Sequence, residues 1–167
     1  MTRQTQLLAG AAAAICLAGL GVATYLTTVH YAGQPIACGG VGDCEYVNST
    51  KYADLIGVPV ALLGALAYAT MFVTIIAALV RKQEALLAGA WGIAAASFAF
   101  SMYLTYIELR VIDAICVYCV VSASLTTVLF VVLGALSWHW VLGGERQAPE
   151  DGPSEVKGPA SSRRVDG

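Results

Sequence analysis

The stretch that decides the fold is residues 114–144, AICVYCVVSASLTTVLFVVLGALSWHWVLGG. It contains no Asp, Glu, Lys or Arg, and it exceeds the roughly 20 apolar residues that a helix needs to cross a bilayer. Three earlier segments are also free of charge and long enough: 4–37 (apolar from about Leu7), 55–80 and 85–107. In lipid each must be a helix, because open strands and loops leave backbone hydrogen bonds unmade.

The sequence therefore predicts an all-α integral membrane four-helix bundle. Its predicted spans are about 7–30, 57–80, 85–107 and 114–142, with an extracytoplasmic loop at 31–56 between the first two. Small residues in the first two spans permit close helix contact, although such spacing is common in membrane proteins. They are Gly10, Ala14, Ala18 and Gly21, and Gly64, Ala65 and Ala69.

The composition also favours a membrane location. The 167-residue chain is 58% hydrophobic and 12% charged, against about 45–50% and about 25% in soluble domains. Nine of its twenty charged residues lie in 145–167, a tail rich in Gly, Pro and Ser that is predicted to be disordered and cytoplasmic. Residues 1–144 are predicted to form the single domain. The net charge of −2 argues against a nucleic-acid partner and leaves membrane lipid as the expected surroundings.

The basic residues predict the orientation, because Lys and Arg concentrate in cytoplasmic segments. Seven fall on the side of the two termini and of the connection at 81–84, whereas only Lys51 and Arg110 fall on the other side. Both termini are therefore predicted to be cytoplasmic. The loop 31–56 and a short turn at 108–113 are predicted to be extracytoplasmic.

Four of the five cysteines fall on that extracytoplasmic face. Cys38 and Cys44 lie in the loop, and Cys116-Val117-Tyr118-Cys119 opens the last span. Two thiol pairs on one face of a membrane form a potential relay for two electrons. Cys16 lies in the middle of the first span and is expected to be an inert apolar residue.

Cys116 and Cys119 are three residues apart, so on a helix they lie on one face. Asp113 is the predicted N-cap of the fourth helix, which places Cys116 at the third helical position, in the positive end of the helix dipole. That environment lowers a thiol pKa and produces a reactive thiolate. A redox pair is favoured over half of a Cys₄ zinc site, because an oxidising compartment favours disulfides, and no metal site is predicted.

The pair Cys38 and Cys44 has two readings. As a structural staple it would close a small loop. Beside a C-x-x-C on the same surface, a glycine-rich loop with two thiols instead favours a shuttle, because thiol–disulfide exchange requires one sulfur to reach another. Asn48, Ser49 and Thr50 are predicted to cap a short helix that extends to residue 56.

Electrons that pass between thiols need an acceptor, and a lipid-soluble quinone is the natural one for a dithiol at a membrane surface. The sequence contains no haem-ligand pair and no dinucleotide-binding fingerprint. Six aromatic residues on the second and third spans are candidates to line a quinone site, although such residues more often form interface belts or pack. They are Tyr68, Phe72, Phe98, Phe100, Tyr103 and Tyr106.

Four motifs in a fixed order resemble a known family. Cys38-x5-Cys44 is followed by NSTKYA at 48–53, then by Gly57-Val58-Pro59, and finally by Cys116-x-x-Cys119. This set resembles the bacterial form of the vitamin K epoxide reductase family over roughly residues 7–142. The resemblance implies a four-helix bundle around a quinone, in a bacterial-type plasma (inner) membrane.

The resemblance also implies a role for each matching residue. Cys119 would attack a quinone of the ubiquinone or menaquinone type, Cys116 would exchange with Cys44, and Cys38 would take electrons from a partner. Thr50 matches a Ser or Thr thought to hydrogen-bond near the active disulfide.

The implied function is a thiol:quinone oxidoreductase that drives disulfide-bond formation. The electron donor is expected to be a separate thioredoxin-like, DsbA-type protein on the outer side. Ala123 stands where animal members have a tyrosine that bonds the naphthoquinone, which favours plain quinone reduction over epoxide reduction.

Three alternatives stay open from the sequence. A DsbB-type oxidase has its C-x-x-C first and its spaced pair second, which is the reverse of the order here. A tetraspan structural or scaffold protein would use Cys38 and Cys44 as a staple, and it has no need for a C-x-x-C at the mouth of the fourth helix. A metal-handling membrane protein would use the same cysteines as ligands.

Overall fold

The computed structural model of the chain describes residues 2–37, 42–50, 52–55 and 57–143, with the backbone alone for 139–143. Cys38 and the tail 145–167 lie outside the described residues. Four long helices dominate: α1 (Arg3–Ala32), α3 (Val60–Arg81), α4 (Glu84–Ile107) and α5 (Val117–Gly143). The all-α prediction is confirmed. All four helices are long and apolar enough to cross a membrane, which indicates a multi-pass membrane protein.

The four helices pack in the ring order α1–α3–α4–α5. Small residues allow α1 to approach its neighbours closely, as is usual in lipid. At Gly19 the ring of Tyr68 on α3 occupies the place where a side chain would be, 2.5 Å from an added Cβ. The buried small residues of α1 are Ala9, Ala12, Ala13, Cys16, Gly19 and Ala23.

The small residues of this spacing on α1 do not make the contact that it would permit. Gly10, Ala14, Ala18 and Gly21 are all exposed, and a Cβ added at Gly10 or Gly21 would meet nothing within 4 Å. Small residues occur on every side of this helix, so their spacing alone does not select the face that packs. On α3 the small residues do make a close contact, since Ala65 is buried and Gly64 approaches α1.

The predicted helix from Asn48 towards residue 56 is wrong. The short helix α2 (Cys44–Ser49) lies before this point, and Thr50 ends it by donating from Oγ1 to the carbonyl of Val47 at 2.8 Å. Ser and Thr hydroxyls serve either end of a helix, which explains the error. Strands β1 (Asp54–Leu55) and β2 (Val58–Pro59) follow as an antiparallel hairpin, and Gly57 supplies the positive φ of its turn.

Polar contacts fix this loop to the end of α1. His30 Nε2 lies 3.3 Å from Asp54 Oδ1 of β1. The other ring nitrogen, Nδ1, lies 3.4 Å from Asn48 Nδ2 in α2. One imidazole therefore joins α1 to both parts of the loop.

The end of α4 differs from the predicted turn at 108–113. The helix continues without a break into a π-helical turn, Glu108–Ile112. The Glu108 carbonyl accepts the N–H groups of Asp113 and Ala114. Asp113 then ends the turn with a left-handed φ of 54°. Only residues 113–116 separate α4 with its π-turn from α5.

Two buried clusters divide the bundle along its length. The larger lies among the four long helices and contains Cys16, Met71 and Leu129. The smaller lies at the loop end and contains Val47, Cys44 and Cys116. The described loop cysteine therefore packs in one cluster with the C-x-x-C motif, and Cys16 belongs to the other.

Candidate active site

Cys116 is itself the N-cap of α5. Its carbonyl accepts the N–H of Val120 at 3.0 Å, which is the first hydrogen bond of the helix. Its Sγ accepts the backbone N–H groups of Tyr118 and Cys119, as an N-cap side chain does. The prediction that Asp113 is the N-cap and that Cys116 is the third helical residue is wrong, because Asp113 ends the preceding π-turn.

This capping position explains the acidity of Cys116. The pKa of Cys116 is lowered from 9.0 to about 7, and the hydrogen bond from the Cys119 thiol is the largest cause. The backbone N–H groups of Cys119 and Tyr118 act in the same direction, whereas burial and the charge of Glu108 oppose them. Cys116 is therefore partly a thiolate at neutral pH, and the thiolate is the nucleophilic form.

Sequence reasoning missed Glu108. Its side chain is only 6% exposed. Its carboxylate accepts hydrogen bonds from the Cys119 thiol and from the backbone N–H of Cys116. A signal was present, since Leu109, Val111 and Ile112 continue the apolar character beyond Glu108. An ionisable residue inside an apolar segment usually marks a functional position.

Cys44 is held beside the C-x-x-C motif by the backbone. Asp43 donates its N–H to the carbonyl of Ile115 at 3.0 Å. Gly42 has a φ of +82°, and a Cβ on it would lie 2.6 Å from the same carbonyl, so glycine is needed for this approach. Cys44 is 1% exposed and disulfide-bonded, whereas Cys116 and Cys119 are free thiols.

Tyr118, between the two cysteines of the motif, contacts the chain that leads to Cys38. Its hydroxyl donates to the carbonyl of Ala37 at 2.8 Å. The N–H of Ala37 donates to the hydroxyl of Tyr25 at 3.3 Å, and the two tyrosine rings lie 5.5 Å apart. The residues at the start of α5 thus contact the loop at two points, Tyr118 at Ala37 and Ile115 at Asp43.

A cavity of about 790 Å³ lies beside the two thiols. All four long helices contribute to its wall, which is mainly apolar. The loop contributes Val47, Asn48, Thr50, Tyr52, Ala53 and Leu55. Cys116, Cys119 and Glu108 lie on this wall together. The volume is in the range of cavities that hold small organic ligands. A dithiol and a carboxylate therefore face a space suited to an apolar molecule.

A sequence model of the vitamin K epoxide reductase family matches residues 11–133, which include both cysteine pairs and Glu108. The chain belongs to this family. The resemblance of its motifs is thereby confirmed. As a vitamin K epoxide reductase family protein with four apolar helices, it is a membrane oxidoreductase in the broad sense.

Two of the six aromatic candidates line the cavity of this family member. They are Tyr68 and Phe100. The other four candidates are not among the described residues that line the cavity. Phe98 stacks on Phe130 with ring centroids 5.0 Å apart, and Phe72 packs against the larger cluster. Tyr103 and Tyr106 are more than half exposed. Contact of any of the six with a quinone stays a prediction.

Tyr68 ties α3 to α5 at the cavity wall. Its hydroxyl lies 2.8 Å from Thr126 Oγ1 and donates to the carbonyl of Ser122 at 3.0 Å. Thr50 also lines the cavity, but its hydroxyl donates a hydrogen bond to the carbonyl of Val47. A hydrogen bond from Thr50 near the active cysteines stays a prediction. Within the described ranges, no three His, Cys, Asp or Glu side chains are grouped to hold a metal ion.

Proposed function

We propose that this family member is a thiol:quinone oxidoreductase that drives disulfide-bond formation. Electrons pass from a secreted thioredoxin-like protein to Cys38 and Cys44, then to Cys116 and Cys119, and finally to a membrane quinone. The observation that supports this most is the hydrogen-bonded dithiol of Cys116 and Cys119 on the wall of an apolar cavity.

Each step balances as a two-electron exchange. A partner dithiol reduces the loop disulfide and becomes a disulfide itself. The thiolate of Cys44 then attacks Cys116 in the oxidised C-x-x-C pair and releases Cys119, and attack by Cys38 on Cys44 releases Cys116. The resulting dithiol gives two electrons to the quinone, which takes up two protons and becomes a quinol, while the Cys116–Cys119 disulfide forms again.

The position of Cys44 supports the second step. Its burial in one cluster with Cys116 means that exchange between them requires only a local movement. The lowered pKa of Cys116 supports the step in which Cys38 attacks Cys44. Cys116 is the leaving thiol in that step, and a thiol with a lower pKa leaves faster.

The test uses the full chain in detergent or nanodiscs, with dithiothreitol as the dithiol and a short-chain benzoquinone as the acceptor. Cys119→Ala and Cys116→Ala are expected to abolish quinol formation, measured by absorbance. Cys16→Ala is the matched control, since Cys16 is a free buried cysteine outside the cavity. Full turnover by Cys119→Ala would remove the basis for the proposal.

The partner requires a separate experiment. In a Cys116→Ala variant the loop cysteines have no onward acceptor, so a mixed disulfide with a secreted protein is expected to accumulate. Identification of a thioredoxin-like protein in that adduct supports the proposed donor, and an adduct that never forms contradicts it.

A further inference from the structure

Glu108 is the one charged side chain among the described residues that line the cavity, apart from any cysteine that ionises. The remaining lining residues are apolar, hydroxyl, amide or thiol side chains and glycines. A buried carboxylate is costly unless its oxygens receive hydrogen bonds. Glu108 receives two, from the Cys119 thiol and from the N–H of Cys116. Both donors belong to the C-x-x-C motif.

The π-turn brings Glu108 to this position. It begins at Glu108 itself and widens the helix where α4 meets the start of α5. Single π-turns within α-helices occur often at functional sites. The side chain is thereby directed to the dithiol and the cavity rather than to the outer surface, where the neighbouring Leu109 and Val111 lie.

The chemistry of the dithiol requires a proton acceptor at this point. When Cys116 is ionised, the proton that remains on the pair is the one on Cys119. Closing the disulfide must remove that proton. The Cys119 S–H donates to two groups, Cys116 Sγ and the carboxylate of Glu108. Only the carboxylate can keep the proton while the sulfur atoms bond.

We propose that Glu108 is a catalytic residue that accepts the proton of the Cys119 thiol and passes it to a quinone oxygen. The inference rests on the proposed function and adds the route of one proton. The S–H bond of Cys119 breaks, the S–S bond with Cys116 forms, and two electrons enter the quinone. Glu108 supplies one proton to the reduced quinone and water supplies the second, which replaces the proton that Cys116 lost on ionising. Glu108 ends as a carboxylate.

Few other titratable groups face Glu108. Cys116 and Cys119 approach from the start of α5, Tyr68 lines the cavity from α3, and Tyr52 lines it from the loop. Arg110 belongs to the same π-turn but is exposed. A change in the pH profile on replacing Glu108 is therefore attributed to Glu108 and the two cysteines that it contacts.

The test compares Glu108→Gln with the wild-type chain in the dithiothreitol and benzoquinone assay. General acid–base groups contribute about 10²–10⁴-fold to rates, so turnover at pH 7 is expected to fall by about 100-fold. In Glu108→Gln the residual rate should rise with hydroxide concentration. Alkylation of Cys116 by N-ethylmaleimide should be at least as fast in Glu108→Gln as in the wild-type chain. The reason is that the negative charge of Glu108, which disfavours the Cys116 thiolate, has been removed. Glu84→Gln, at the first residue of α4 and so at the opposite end of the helix from Glu108, is the control and should leave turnover unchanged.

The outcomes separate this inference from the function on which it rests. A wild-type chain that forms no quinol overturns both. A wild-type chain that turns over, with Glu108→Gln equal to it in rate and pH profile, overturns only the role of Glu108. If Glu108→Gln does not fold, Glu108→Asp and Glu108→Asn have the same shortened length, and only the aspartate has a carboxylate. Faster turnover by the aspartate supports the inference, and equal turnover overturns it.

Discussion

Gly19→Ala is expected to destabilise the bundle and to distort the cavity. The new Cβ would lie 2.5 Å from Cε1 and Cζ of Tyr68, where ordinary contacts are 3.4–4 Å. The tyrosine ring must therefore withdraw by about 1 Å. Its hydroxyl would then lose the contacts to Thr126 and Ser122, which are 2.8 and 3.0 Å long and cannot lengthen so far.

The expected cost follows from these contacts. Overpacking in a tight interior costs about 1–3 kcal/mol, and two interhelical hydrogen bonds in a membrane protein add about 0.6 kcal/mol each. Alanine regains up to about 1 kcal/mol over glycine in a helix. The net loss in the free energy of unfolding is therefore about 1–3 kcal/mol. Gly21→Ala, two residues along the same helix, meets nothing and should have no cost.

The assay is unfolding of the purified chain in mixed micelles with increasing denaturing detergent, followed by circular dichroism. A double-mutant cycle makes it specific: in a Tyr68→Leu background the space beside Gly19 is open, so Gly19→Ala should lose most of its cost. If the cost of Gly19→Ala is the same with and without the tyrosine ring, the packing of α1 on Tyr68 is not its cause and the reasoning is refuted.

Two further predictions concern the cysteines. The alkylation rate of Cys116 should rise through a midpoint near pH 7, because its lowered pKa makes the thiolate abundant above that pH. Cys119→Ala should move this midpoint to higher pH, and Cys119→Ser should move it less. An unmoved midpoint in the alanine variant contradicts the hydrogen-bond explanation. Gly42→Ala should slow disulfide exchange between Cys44 and Cys116, because the added Cβ would clash with the Ile115 carbonyl. The exchange is measured by acid quenching and gel analysis. Gly57→Ala is its matched control, with a similar φ of +79° and open space, and equal slowing in both variants would count against the docking role of Gly42.

The parts of the fold that depend on long local runs of sequence are predictable from it. Four charge-free segments specify four helices, because lipid permits hardly any other backbone structure there. The two thiol pairs are similarly visible as spacings. The family follows from their order together with the short motifs between them.

Other features depend on contacts between distant segments. Glu108 looks like the first residue of an aqueous turn until the π-turn and the start of α5 are placed beside it. The packing face of α1 depends on where the Tyr68 ring lies, and the sequence of α1 contains no information about that ring. The position of each aromatic candidate along α3 or α4 follows from the sequence. Their rotation about the helix axes, which separates Phe100 from Phe98, depends on the neighbouring helices.

The π-turn of Glu108–Ile112 makes the length of this segment as important as its composition. An α-helix advances about 100° for each residue. Deleting Val111 alone, an exposed apolar residue, would tighten the turn and rotate Glu108 away from Cys119 by roughly that angle, while hydropathy and charge along the segment hardly changed. Relatives that align here with a one-residue gap are therefore expected to lack this carboxylate contact, even where a glutamate is present in the aligned column.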